Sequence, residues 1–135
     1  MTQLYDSHAK QDLLVKLGDT DLVLSDPIDD VRGRKVIDSF GDDIGHVSEL
    51  FVDNAERKVR FLQVGAGGFL GLGERQFLVP IEDVTRVTEH TVHINHARDH
   101  VVKSPAFDPS LTTWRDSNYW NPYYGYYGVA PYWDR

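Results

Sequence analysis

The chain has 135 residues, no cysteine and a formal net charge of −7. This length fits one domain that can bury a core without disulfides or metals, and the lack of cysteine excludes thiolate chemistry. The acidic balance argues against generic binding of nucleic-acid phosphates, which needs clustered cations. Because neither a secretory signal pattern nor an apolar run of membrane-span length is visible, we expect a soluble cytoplasmic protein.

Composition changes along the chain divide it into four parts. We predict an N-terminal arm over 1–29, a β-rich domain over 30–96, a short helix and linker over 97–113, and a Tyr/Trp-rich tail over 114–135. Within the arm, residues 9–17 are predicted to form a short helix that presents Leu13, Leu14 and Leu17 on one face. Residues 21–25 are predicted to form a brief strand that Pro27 ends.

Short runs of apolar and β-branched residues dominate the β-rich part. They predict strands at 35–38, 44–52, 59–64, 76–79, 84–88 and 91–95, with the last two forming a closing hairpin. The run 59–64 is apolar on both faces near its end, so we predict a central strand covered on both sides. Short strands with frequent turns are typical of a small antiparallel β-barrel. Residues 96–104 predict one or two helical turns with Val101 and Val102 facing inwards.

A family resemblance is carried by GRKVIDSFGDDIGHVSELFVD over 33–53, a following basic and hydrophobic strand, a glycine-rich loop, and FLVPIEDV over 77–84. Their order and spacing resemble the PRC-barrel domain family, the small β-barrel found in the cytoplasmic part of the photosynthetic reaction-centre H subunit. Within that family the chain is most similar to the stand-alone soluble bacterial or archaeal type. The resemblance covers residues 30–96 and rests on Gly33, Val36, Gly41, Ile44, Gly45, Val47, Leu50, Val52, Asp53, Gly73, Val79, Pro80 and Val84.

The resemblance implies a compact antiparallel barrel that serves as an interaction module and brings no shared catalytic residues. We therefore expect a non-enzymatic protein-interaction or scaffold module without a cofactor, which self-associates as a homodimer and also binds a protein partner of unknown identity. One alternative is a small-ligand or metal-binding regulatory protein. Another, by family analogy alone, is an accessory to an electron-transfer or photosynthetic complex.

The glycine-rich segment 65–73, GAGGFLGLG, invites a phosphate-binding interpretation. It lacks the Gly-Lys-Ser/Thr ending of a phosphate-binding loop and the third glycine of a dinucleotide fingerprint. We interpret it instead as a hairpin connection in which glycines supply backbone freedom. Its apolar residues Phe69, Leu70 and Leu72 are candidate contacts for a partner.

Histidines are dense between His90 and His100. His96 and His100 are four residues apart and would share a helix face, with Asp99 beside them. We predict no metal site, and these three residues are the candidates that would supply ligands if one exists. The alternative interpretation is a set of solvated polar residues at a strand end and a helix start.

The tail over 114–135 contains all three tryptophans and six of the seven tyrosines. The sequence allows three structures for this tail: an extra layer on its own barrel, a docking element for a sister subunit, or a disordered segment that binds another partner. Nucleic acid is not expected as a partner, because Arg115 and Arg135 are the only Lys or Arg residues there. The candidate contact residues are Trp114, Tyr119, Trp120, Tyr123, Tyr124, Tyr126, Tyr127, Tyr132 and Trp133.

Overall fold

The structure is a computed structural model that describes residues 13–67, 73–110 and 117–135, without the side chains of Ile28 and Ser117. The strands are β1 (Leu14–Lys16), β2 (Lys35–Ile37), β3 (Asp43–Asp53), β4 (Val59–Ala66), β5 (Arg75–Pro80), β6 (Val84–Val87) and β7 (Thr91–Ile94). The α-helices are α1 (Arg98–Val102) and α2 (Ser117–Tyr127). Short 3-10 turns occupy Leu17–Asp19, Pro27–Asp29, Ile81–Asp83 and Tyr132–Asp134.

The seven strands of the described residues form one sheet in the order β5-β4-β3-β2-β7-β6, with β1 paired to the second half of β3. The predicted mainly β fold and the six predicted strands are confirmed, with ends shifted by a residue or two. Two features of the predicted antiparallel barrel need correction. The β2–β7 pair is parallel, and no ladder joins β5 to β6 within the described residues, so the sheet is not closed. The chain turns at Ile81–Asp83 directly after β5, and β6 then pairs with β7.

The N-terminal arm differs from its prediction. Leu14–Lys16 is a strand rather than part of a helix, and residues 21–24 have no regular structure where a strand was predicted. Leu14 pairs with Asp53 and is fully buried against the outer side of the sheet. The second half of β3 offers backbone hydrogen bonds and an apolar surface, and this tertiary pairing outweighs the weak helical preference of the segment.

Both faces of the sheet are covered by apolar side chains. The inner face includes Val36, Val47, Leu50, Leu62, Val64, Val79, Val92 and Ile94. The outer face carries Leu14, Phe51, Phe61 and Leu78, which pack against Phe107, Trp120, Tyr123 and Tyr124 from the C-terminal part of the chain. β4 lies between β3 and β5 and contributes to both clusters, so the predicted central strand covered on both sides is confirmed.

Helix α2 covers the outer face although its sequence, SNYWNPYYGYY, is a poor helix former. Pro122 lies inside the helix, and Gly125 and the aromatic residues also lower its intrinsic propensity. Four aromatic side chains at helical spacing are buried: Trp120, Tyr123, Tyr124 and Tyr127. The helix is therefore stabilised by packing, and of the three open structures for the tail the chain adopts the layer on its own sheet.

Asp38 connects the β2–β3 turn to α1. Its buried carboxylate accepts hydrogen bonds from the backbone N–H groups of Phe40 and Asp42 at 2.9 Å and of Arg98 at 2.8 Å. Burial opposes its ionisation, but these donors outweigh burial and hold the pKa of Asp38 below its usual value. The carboxylate thus fixes the start of α1 at Arg98. Val101, further along this helix, is buried in the core of the sheet's inner face.

Candidate functional site

A groove of about 750 Å³ lies between β6 and the start of β4. Its apolar lining consists of Val31, Val59, Ile81, Val84, Val87 and Val92, and its charged lining consists of Asp26, Asp29, Arg34, Lys58, Arg60 and Glu89. The groove exists because β6 ends the sheet and no strand covers its second edge within the described residues. An apolar lining with charges of both signs is suited to bind a peptide segment, because such a segment carries apolar side chains on a polar backbone.

Two of the cations that line the groove are held in place. Arg60 Nη2 lies 2.9 Å from Asp53 Oδ2 and 2.6 Å from Glu56 Oε1, and its guanidinium lies 4.1 Å from the Tyr132 ring centre. Burial opposes ionisation of Asp53, but backbone donors and Arg60 outweigh it and hold the pKa of that carboxyl below its usual value. Arg34 Nη1 donates a hydrogen bond to the Thr88 carbonyl oxygen at 2.8 Å. These contacts give part of the groove a fixed charge arrangement.

The free edge of β6 runs along this groove. The Thr88 N–H donates to the Thr91 carbonyl at 2.9 Å, which directs the backbone of Thr88 towards β7. Because backbone groups alternate along a strand, the N–H and C=O of Val87 point to the opposite edge. The Val87 side chain is 47% exposed, and among large apolar residues of the described chain only Val23 and Phe40 are also exposed. The edge therefore combines unpaired strand geometry with exposed apolar surface.

A second cluster joins α1 and α2 to the sheet. His96 Nδ1 lies 2.6 Å from Asp83 Oδ1, and Asp83 is only 4% exposed. The His96 and His100 rings stack at 4.1 Å, and His100 stacks on Tyr126 at 4.3 Å. The Tyr126 hydroxyl donates to the His100 carbonyl oxygen at 2.7 Å. The cluster thus holds the end of α2 against α1.

The predicted metal candidates are only partly brought together. Asp99 pairs with Lys103 at 3.0 Å on the surface, and Asp83 is the carboxylate that meets His96 instead. Within 13–67, 73–110 and 117–135, no group of three or more His, Asp or Glu side chains is arranged to hold a metal ion. Sequence reasoning missed Asp83 because it precedes the histidines in a turn, where no ligand-like spacing marks it.

Burial changes how this cluster titrates. Burial raises the pKa of Asp83 above its usual value, against the opposing hydrogen bond and charge of His96. Burial and the charge of His96 lower the pKa of His100, against the opposing charges of Asp83 and Asp99. The half-buried His100 therefore binds a proton less readily in the folded protein than in the unfolded protein.

We predict that His100 makes stability fall on acidification. Its contribution is fully present above its unfolded pKa of about 6.5 and is lost as pH falls from there through the lowered folded pKa. Asp83 acts in the opposite direction, because its raised folded pKa makes the folded state bind a proton first. Urea unfolding across this pH range should therefore compare the protein with His100→Phe, which keeps an aromatic ring but cannot titrate. A wild-type stability that changes with pH in parallel with the variant contradicts the prediction.

The structure places the predicted contact residues in three groups. Trp120, Tyr123, Tyr124 and Tyr127 are buried in the chain's own core, whereas Tyr119, Tyr126, Tyr132 and Trp133 are half-buried. Trp114, Phe69, Leu70 and Leu72 lie outside the described residues. Contacts of these side chains with a partner stay a prediction, and sequence reasoning did not single out Val87 because an exposed valine on a strand has no distinctive pattern.

These features define a mainly β domain with one open sheet, a groove at its free edge and an aromatic helix across its outer face. The model of the PRC-barrel domain matches residues 26–101, which is more than half of the 135 residues. The chain belongs to the PRC-barrel domain family, as its resemblance implied. A comparison with curated proteins gave no match. None of the helices in the described ranges has the length and apolar character needed to cross a membrane.

Proposed function

We propose that the chain is a non-enzymatic protein-interaction module whose binding surface is the free edge of β6 with the groove beside it. The observation that carries the proposal is this edge, on which Val87 is 47% exposed and no described strand pairs. An added strand gains affinity from main-chain hydrogen bonds, and a neighbouring pocket selects its side chains. The groove of about 750 Å³ supplies such a pocket.

The coverage of the remaining surfaces supports this choice. The outer face of the sheet is occupied by α2, and Trp120 lies in one cluster with Leu78 of β5. Strand β1 also contacts the C-terminal part of the chain, because Lys16 Nζ donates a hydrogen bond to the Pro109 carbonyl oxygen at 3.0 Å. Strand β5 forms the other end of the sheet, but it is buried from Phe77 to Pro80, whereas three of the four residues of β6 are exposed. The β6 edge is therefore the more exposed of the two sheet edges within the described residues. We expect the protein to act in the cytoplasm and to self-associate, as its sequence predicts.

We predict that Val87→Lys abolishes partner binding while leaving the fold intact. A lysine on an exposed edge opposes strand addition because its charge must lose water, yet it replaces a side chain that is already half exposed. The measurement is affinity purification from the native cell with mass spectrometry, using the protein and the variant as baits. Proteins retained by the wild type should be lost from the variant.

Val23→Lys is the matched control, because Val23 is 64% exposed and does not line the groove. It should retain the same proteins as the wild type. Thermal unfolding of all three baits checks that each is folded. The proposal is wrong if Val87→Lys retains the full set of proteins that the wild type binds.

A further inference from the structure

We infer that the end of helix α2 is an acid-sensitive latch: protonation of both His96 and His100 releases Tyr126 and Tyr127 from α1 while the sheet stays folded. The latch consists of these four residues and Asp83. None of them lines the groove beside β6, so the inference stands apart from the proposed function. Two tyrosines that the sequence singles out as contact residues would then become accessible at acid pH.

The two halves of α2 pack on different parts of the sheet. The first half lies on the outer face, where Trp120 and Tyr124 are fully buried. In the last turn, Tyr127 belongs to the inner-face cluster and Tyr126 packs against that cluster. Gly125 lies between the two halves, and glycine has a weak preference for helix. The last turn therefore has a place to open without loss of the outer-face packing.

His100 forms the contact that holds this last turn to α1. Its ring stacks on the Tyr126 ring with the centroids 4.3 Å apart, and its carbonyl oxygen accepts a hydrogen bond from the Tyr126 hydroxyl at 2.7 Å. The His96 ring stacks on the His100 ring at 4.1 Å, with the two planes 18° apart. Tyr127 meets both imidazoles in edge geometry, 5.2 Å from His96 and 5.1 Å from His100. The last turn of α2 therefore rests on two stacked imidazoles.

Asp83 supplies the buried carboxylate of this cluster. Its Oδ1 lies 2.6 Å from His96 Nδ1, whereas Asp99 pairs with Lys103 on the surface at 3.0 Å. His100 Nε2 is buried without a hydrogen-bond partner among the described residues, so a proton there has no acceptor. Two charged rings in this stack would repel each other at short range. The closed arrangement thus disfavours a proton on both rings.

The other groups around His100 do not reverse this balance. The face of the Tyr126 ring can attract a charged imidazole, and the charges of Asp83 and Asp99 also favour the charged form. Strand β5 packs on α1 too, but its one charged side chain, Arg75, lies over an aromatic ring of the same strand. Burial and the charge of the neighbouring imidazole outweigh these contributions and hold the pKa of His100 below its usual value. Opening the last turn exposes His100 to water and removes that penalty.

Hydrogen exchange of the full chain, followed by NMR, tests the latch without any substitution. The N–H groups of Gly128 and Val129 donate to carbonyl oxygens of α2 at 3.2 and 3.0 Å, so both amides report on the end of this helix. The Val47 N–H donates to the Arg34 carbonyl oxygen at 2.9 Å beside the inner face of the sheet and reports on global unfolding. Protection is the exchange rate of an unstructured chain at the same pH divided by the observed rate, which removes the intrinsic effect of pH on exchange.

We expect protection at Gly128 and Val129 to fall at least about fivefold between about pH 7.5 and about pH 5.5, a range that spans the unfolded pKa of histidine. The fall runs in this direction because the open state takes up the proton that the closed state disfavours. Throughout the range both amides should stay at least about tenfold less protected than Val47, because the last turn opens without global unfolding.

His100→Phe keeps an aromatic ring in the stack but cannot take up a proton, so it should remove the fall at Gly128 and Val129. His90→Phe is the matched control, because the His90 side chain is 84% exposed and lies outside the latch. It should show the same fall as the wild type. If His100→Phe does not fold, the comparison of the two amides with Val47 in the wild type decides the question.

The inference is overturned if protection at Gly128 and Val129 stays constant over this range, since the closed cluster then accepts the proton. It is equally overturned if both amides match Val47 in protection throughout, because they would then exchange only through global unfolding. A folded His100→Phe protein that loses protection on acidification as the wild type does would show that His100 is not the trigger.

Discussion

Trp120→Ala is expected to lower the free energy of unfolding by about 3–5 kcal/mol. The indole is fully buried and lies 5.0 Å from the Phe51 ring and 4.9 Å from the Phe61 ring, between centroids. Its removal leaves a cavity between α2 and the outer face of the sheet, because the rigid strands cannot collapse into the space. Urea unfolding followed by far-ultraviolet circular dichroism measures the loss, since the variant also loses a fluorophore.

Asn121→Ala is the control for this substitution, because Asn121 is the next residue on α2 and is exposed. It should change the free energy of unfolding by less than about 0.5 kcal/mol, as surface substitutions usually do. A Trp120→Ala protein as stable as the Asn121→Ala protein would show that α2 does not pack on the sheet in solution. The tail would then be either a docking element for a sister subunit or a disordered segment that binds another partner, the two other structures that its sequence allows.

Gly45→Ala is expected to cost about 3 kcal/mol or more, a large share of the 5–15 kcal/mol that stabilises a typical domain. Gly45 has φ +147°, a conformation that side chains rarely adopt, and an added Cβ would overlap the carbonyl oxygen of Gly65 on β4. The clash is with backbone, so the β3–β4 pair must separate locally to relieve it. Urea unfolding, with circular dichroism to confirm strand content, measures the loss.

Gly67→Ala provides the matched control, since a Cβ at Gly67 would meet nothing within 4 Å. It should leave the unfolding midpoint within the range of ordinary surface substitutions. Equal stabilities of the two alanine variants would contradict the close backbone approach at Gly45. The contrast would show physically why position 45 of this chain requires glycine.

Strand positions were predictable because their cause is local. β4 contains apolar residues at neighbouring positions, and this pattern alone indicated a strand covered on both sides. The covering element was harder to identify, since α2 contains Pro122 and Gly125 and becomes helical through its contacts with Phe51 and Phe61. Local propensity carries no information about such contacts.

Other features could not be predicted from the sequence, because they depend on contacts between segments that are distant in the chain. Leu14–Lys16 forms a strand because β3 lies beside it, and its own residues do not require one. Asp83 meets His96 because the turn after β5 and the end of β7 come together in space, as shown by the hydrogen bond from the Asn95 N–H to the Asp83 carbonyl at 2.9 Å. The uncovered edge of β6 likewise follows from the strand order, which the sequence of β6 does not encode.

The parallel pairing of β2 with β7 has a consequence for the order of folding. The β3–β4 hairpin joins strands that are close in the chain, whereas the pairing of Lys35 with Thr91 must close the whole intervening segment. Because closing a long loop costs more entropy, the hairpin should form early and the parallel pair late. Helix α2 packs on Phe51 and Phe61, which the β3–β4 pairing brings side by side, so we expect the helix to form after that hairpin.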